Sequence, residues 1–190
     1  MGKFKIEQGW RTNAESVTNG VANKDNILDT FFAVLGYVEM NDWKGACHAT
    51  CGILHVLLKE QGIDNHLILG EAKNGPAVFN HSWIEIEGEV YDVAIGNALI
   101  PQFSNPPTIK GFDIETSSLT KIEYGVNSGE ADDPPTKMIK SMSIGDYMEA
   151  FPGHPLGLWM AVKDGAEKLG IKINIDEVRT KYRGVMWTVK

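Results

Sequence analysis

The sequence lacks several things, and each shortage closes a class of function. Its opening stretch, MGKFKIEQGWRTNAESVTNG, is polar, and no later run is long and apolar; a membrane span needs about 20 consecutive apolar residues and a secretory leader needs an apolar core. Basic residues are scattered in the manner of Lys181 and Arg183, and 18 of them stand against 25 acidic ones, for a net charge of -7. A partner read through its phosphates requires a basic stripe, so DNA and RNA are disfavoured. Only two cysteines occur, Cys47 and Cys51. They are too few for a disulfide scaffold, and side chains at i and i+4 of a helix run alongside rather than toward each other. No internal repeat or low-complexity tract is present. These shortages together lead us to expect a cytoplasmic protein with free thiols, no nucleic-acid partner and no membrane association.

What remains is ordinary globular composition: 190 residues, 43% hydrophobic and 23% charged, in the range of a soluble domain that buries about 70% of its unfolded surface. At about 150 residues per domain we expect residues 1–190 to form one domain, with a core near 25–100 and an extension over 101–190. Residues 1–24 are turn-rich and read as a strand or arm. Asp25 or Asn26 can cap a helix through Ile27, Phe31, Leu35 and Val38. The segment Asn41–Gly45 breaks it, and a second helix runs from about Ala46 to Gln61, closed by Gly62. Three extended runs follow, His66–Glu71, Ser82–Glu87 and Val90–Ile95, with a turn at Glu87-Gly88 between the last two. Beyond Pro101 the pattern gives a strand near Lys121–Val126 and helices over Ile144–Phe151, Pro155–Leu169 and Ile175–Tyr182. Helix, antiparallel strands, then helices describe an α+β fold.

On a wheel of about 100° per residue, Ile53, Leu54, Leu57 and Leu58 form a wide apolar face of the second helix, with Cys47 in its first turn. His48, His55 and Lys59 gather on a separate polar stripe. Free amides and the positive end of the helix dipole favour a thiolate at such a position, and the same amides can hold an oxyanion. The plainer reading makes a helical cysteine a small core residue, which suits Cys51. A zinc site over Cys47, Cys51 and His55 is excluded because eight helical residues span about 12 Å, far beyond metal–ligand bond lengths. A set using Cys47, Cys51 and His81 lacks a fourth ligand, and no metal or cofactor is expected.

The run from Asn80 to Val93 alternates with period two, placing His81, Trp83 and Glu85 on one face of the strand. A two-residue loop at Glu87-Gly88 sets Trp83 opposite Asp92, so Asp92 lies on the His81 face as its diagonal neighbour, within side-chain reach. Sliding the loop by one residue separates the pair, and a three-residue loop puts them on opposite faces. With the register held, Asp92 orients and charges the His81 imidazole, as in a nucleophile–base–orienter triad. Taken alone, the hairpin reads more readily as a surface histidine with an unrelated acid nearby, and that reading is kept for His48, His55, His66 and His154.

The ordered set resembles the transglutaminase-like branch of the papain-fold thiol enzymes. Gly45-Ala46-Cys47 is similar to the family's Gly-x-Cys at the start of the helix, and Gly62-Ile63 to the pair that closes it. His81-Ser82-Trp83-Ile84-Glu85 resembles its His-Ala-Trp-x-Glu segment, and Val90-Tyr91-Asp92-Val93 its aspartate strand. The match covers about residues 43–96. It departs from the family where His48-Ala49 replaces an aromatic or aspartate after the cysteine, and where no Pro follows the aspartate.

The resemblance implies a papain/transglutaminase-like core with Cys47 as nucleophile, His81 as base, Asp92 as orienter, and Trp43 or Asn41 as a side-chain oxyanion donor. The function expected is a cysteine-dependent hydrolase of an amide or peptide bond, working through an acyl-enzyme on a peptide, a protein or a small amide. Transfer to an amine acceptor is the alternative, as is a non-catalytic module whose Trp159, Trp187 and Phe151 form a recognition surface instead of core.

Overall fold

A computed structural model describes residues 8–100 and 104–190. Residues 1–7 of the expected arm and Pro101, where the pattern was read to weaken, fall outside it. Among the described residues the fold is α+β, with seven helices against a curled half-barrel sheet. Helices α1 (Gln8–Val17), α2 (Lys24–Met40) and α3 (Cys47–Glu60) come first. Strands β1 (His66–Asn74), β2 (Ala77–Ile86) and β3 (Glu89–Asp92) form the meander at the centre of the sheet. Short strands β4 (Thr108–Ile109) and β5 (Phe112–Asp113) extend one edge. The free edge of β1 is shared by β6 (Glu123–Val126), antiparallel, and β7 (Thr188–Val189), parallel. Helices α4 (Pro134–Ile139), α5 (Ile144–Ala150), α6 (Trp159–Leu169) and α7 (Ile175–Tyr182) complete the chain.

The N-terminal segment corrects the expectation: residues 8–17 form a helix, not a strand or arm. Its sequence is polar, but Trp10, Ala14 and Thr18 stand four apart and are buried on one side against the body, which is the spacing of a helix face. Helix α4 was also missed. Asp132-Asp133-Pro134-Pro135 reads as a breaker, yet Asp133 caps Thr136 N at 2.7 Å with Pro134 in the first turn, where a proline lacks no needed donor.

Helix α3 is the centre of the core. Residues 49–58 are all buried, between β2 on one side and α2 and α6 on the others. Leu54, Leu57 and Leu58 are each at most 1% exposed, contributing about 1.5–3 kcal/mol apiece on burial. The polar stripe is covered as well: His55 is buried with its Nδ1 2.7 Å from Asn65 Oδ1. Gly62 ends the helix at φ 74°, with Ile63 N bonded to Leu58 O and Gly62 N to Lys59 O. That is the left-handed closure its position suggested.

The β2–β3 hairpin carries the register on which the rest depends. Ile84 pairs with Tyr91, Glu85 with Val90 and Ile86 with Glu89, the alignment expected of a two-residue loop at Glu87-Gly88. Both loop residues have positive φ, 53° and 83°, as a type I′ turn requires. Strand β3 stops at Asp92, three residues short of the expected Ile95. Asp92 Oδ1 accepts from Ala94 N and Ile95 N at 2.9 and 3.2 Å and starts a 3₁₀ turn over Ala94–Asn97.

Glutamate at Glu87 holds a left-handed conformation that costs a non-glycine residue about 1–2 kcal/mol. Glu87→Asn, the residue favoured there, is expected to raise the melting temperature by about 2–4 °C, and Gly88→Val to lower it. Thermal unfolding followed by circular dichroism decides, and an unchanged midpoint in Glu87→Asn would mean that the turn stores no strain.

Candidate active site

Three elements meet at the sulfur of Cys47. Helix α3 begins there, with Ala46 before it and Thr50 N closing the first turn on Ala46 O at 2.9 Å. The start of the helix is tied to the hairpin by Gly45 N, which donates to Asn97 O at 2.8 Å on the 3₁₀ turn that Asp92 initiates. The residue that orients the histidine thus also sets the turn that anchors the cysteine. Cys47 is half-buried, whereas His81 and Asp92 are 5% and 0% exposed.

His81 Nε2 lies 2.6 Å from Asp92 Oδ2, and His48 and His81 both favour the ionised form of the Cys47 sulfur. Asp92 is fully engaged. One oxygen holds the two backbone amides of the 3₁₀ turn; the other accepts from His81 and from the Tyr124 hydroxyl, at 2.8 Å. Tyr124 comes from β6, on the far side of β1, and its ring packs against Trp83 and His81. Those four bonds fix the carboxylate in place, and its charge favours the protonated form of His81.

Burial works against ionising the thiol, but hydrogen bonds from His48 and His81 and attraction to both rings outweigh it and lower its pKa to about 5. Burial likewise works against the imidazolium of His81. The charge and hydrogen bond of Asp92, then those of the sulfur, outweigh it and raise its pKa to about 10. Each shift favours the other group's charge, so the site holds a thiolate–imidazolium pair through neutral pH. Cys51, one turn further along, is buried, and its pKa is pushed up by burial, by Asp92 and by Cys47. It is the small core residue its sequence position suggested.

No protein-family model, curated protein or solved structure matches the chain. The site therefore has to be read from its own geometry.

That geometry brings together Cys47, His81 and Asp92, and adds residues the sequence did not single out. His48, assigned to a solvated stripe, is half-buried at the sulfur, with its Nδ1 2.6 Å from Ser82 Oγ. Its ring lies edge-on to Tyr147 of α5 and Trp187, next to β7. The signal available was its place beside a first-turn cysteine and the alternation that turns Ser82 away from His81. Nothing local pointed to Tyr124, which arrives by strand pairing. His66 and His154 are exposed, and His154 caps only its own turn at Leu156 N. Asn41 is exposed, with its amide donating to Tyr37 O at 2.8 Å. Trp43 packs between Tyr37 and Phe151. Trp159 and Trp187 are buried in the main core, as the plainer reading of those aromatics had it.

The sign of the pH dependence follows from the two shifts. The thiol's pKa lies below its ordinary value of about 8.5, so the anion persists above about 5 and is lost as pH falls through that value. The imidazolium persists below about 10 and is lost as pH rises through it. Alkylation of Cys47 by iodoacetamide, located by peptide mass spectrometry, is expected to climb between about pH 4 and 6 and then stay flat to about pH 8. An inflection at about 8.5 instead would mean an ordinary thiol.

Proposed function

We propose that the protein is a thiol enzyme of the transglutaminase-like type that hydrolyses an amide or peptide bond, with Cys47, His81 and Asp92 as its triad. The observation that carries the reading is the row of Cys47 at the start of α3, the His81 imidazole and the fully bonded Asp92 carboxylate, in which thiol and imidazole each favour the other's charge. A purely structural role accounts poorly for this row. An imidazolium and a carboxylate buried together contribute little net stability after their desolvation, and an apolar pair would fill the same space.

In the proposed reaction the Cys47 thiolate attacks the substrate carbonyl carbon. The carbonyl π electrons move to oxygen, which is held by first-turn amides of α3, where no carbonyl one turn back is available to them. His81 passes its proton to the departing nitrogen as the C–N bond breaks, leaving an acyl thioester on Cys47 and a neutral imidazole. Water then donates a proton to His81 while its oxygen attacks the thioester carbonyl. The second tetrahedral intermediate expels the thiolate, releasing the acid and restoring the ion pair. Asp92 keeps the ring oriented and charged in the first half of the cycle.

The probe p-nitrophenyl acetate tests these roles without knowledge of the natural substrate, because nitrophenolate leaves without an acid. The intact protein is expected to release a burst of nitrophenolate and to gain one acetyl group on Cys47, and Cys47→Ala should do neither. In His81→Ala the acetyl-enzyme is expected to accumulate while turnover falls about 10²–10⁴-fold, the usual contribution of a general base. Wild-type turnover in His81→Ala, or an acetylated Cys47 that never turns over in the unmodified protein, overturns the assignment. The second outcome would favour a non-catalytic module that keeps a reactive thiol.

A further inference from the structure

We infer that His48 is a second catalytic imidazole, a hydrogen-bond donor that holds the Cys47 sulfur anion jointly with His81 and stays in place through Ser82. The inference rests on the proposed role of Cys47 as nucleophile and adds a group that the triad does not contain.

The charges around the sulfur make the case. Thiolate, imidazolium and carboxylate together leave one net negative charge in a largely buried site, because Asp92 already balances His81. The other ionisable side chains that interact with this site are acids. Cys51 lies one turn along α3, and Tyr147 interacts with the sulfur from α5; Tyr124 from β6 bonds Asp92. Ionising any of them would add negative charge, so none can supply a compensating positive charge. The remaining group beside the sulfur is His48, the next residue along α3, half-buried and held against Ser82 Oγ.

The ring is built into its place. Nδ1 is 2.6 Å from the hydroxyl of Ser82, which is fully buried on β2 beside His81. Its ring centroid lies 6.3 Å from that of Tyr147 and 5.8 Å from that of Trp187, both at nearly perpendicular angles. Trp187 is itself located by β7, whose Thr188 and Val189 pair with Ile68 and Leu69 of β1, and by Lys190 N, which donates to Leu69 O at 3.0 Å. Three separate elements therefore fix an imidazole that a solvated helix face would leave free to rotate. A donor fixed beforehand needs no reorganisation when the thiolate forms or is released.

Two donors on one sulfur separate two properties that a single histidine would join. Anion stability is shared by His48 and His81, whereas proton transfer to the leaving group belongs to His81 with Asp92. The test is the pH profile of Cys47 alkylation by iodoacetamide in the full chain and in point variants, with folding checked by circular dichroism. Cys47 in His81→Ala is expected to titrate at least one pH unit below the ordinary value of about 8.5. The double variant His81→Ala, His48→Phe is expected to return to about 8.5, because phenylalanine keeps the ring packing and removes the donor. In the His81→Ala background, His48→Gln restores an N–H donor and should recover part of the shift that His48→Phe removes.

A thiol of ordinary pKa in His81→Ala alone, or a His48→Phe profile identical to that of the unmodified protein, overturns the inference. Because the readout is ionisation and not turnover, the proposed hydrolase activity and the role of His48 can fail separately.

Discussion

The hydrogen bond between His81 and Asp92 is the constraint around which the rest of the site is arranged. Placing a carboxylate at zero exposure has a desolvation cost of several kcal/mol unless its oxygens are fully bonded. Here each oxygen accepts two hydrogen bonds, from His81, Tyr124, Ala94 and Ile95. Meeting that demand shapes the backbone. Strand β3 ends at Asp92 because the side chain captures the next amides, and the resulting turn presents the Asn97 carbonyl to Gly45 at the start of α3. The requirement to satisfy one buried acid thus reaches the position of the cysteine.

The sulfur gains from this arrangement in a way that helix position alone would not provide. A helix terminus contributes at most about 2 kcal/mol to a nearby charge, which is about 1.5 pKa units. The lowering of the Cys47 pKa to about 5 is larger than that and works against burial. Interactions with the His48 and His81 rings account for the difference, and Asp92 favours the charge on His81. The dipole is a supporting influence, and the ion pair dominates.

How much of this could be read from the chain depended on the range of each interaction. The β2–β3 register followed from a two-residue turn and strict alternation, both local, and it placed Asp92 diagonal to His81 before any tertiary information. Helix α3 and its Gly62 closure were equally local. Tyr124 was not legible, because it lies 32 residues from Asp92 and reaches it only when β6 pairs beside β1. His48 was misassigned for a related reason. A helical wheel separates polar from apolar positions, but cannot tell a solvated stripe from one covered by a neighbouring strand. Ser82, Asn65 and the C-terminal aromatics cover that stripe, leaving His48 half-buried and His55 buried, each in a hydrogen bond. Helix α1 was missed because its buried face is only Trp10, Ala14 and Thr18, within a segment that is otherwise polar.

The second half of the chain has a role at the site that follows from where its ends are pinned. Lys190 reaches Glu85 with Nζ 2.7 Å from both carboxylate oxygens, and Trp83 donates to the same group at 3.0 Å. Glu85 and Trp83 share the strand face of His81, so the last strand is locked onto the segment that carries His81. Pairing of β7 with β1 then leaves Trp187 packed against His48, with Tyr147 completing the aromatic contact. Removing this cover would expose the His48 ring to water, where hydration competes for its hydrogen bond to Ser82 and the effective dielectric rises. The electrostatics of Cys47 therefore depend on packing that is remote in sequence, and a change in β7 that leaves every triad residue untouched still alters the ionisation of the thiol.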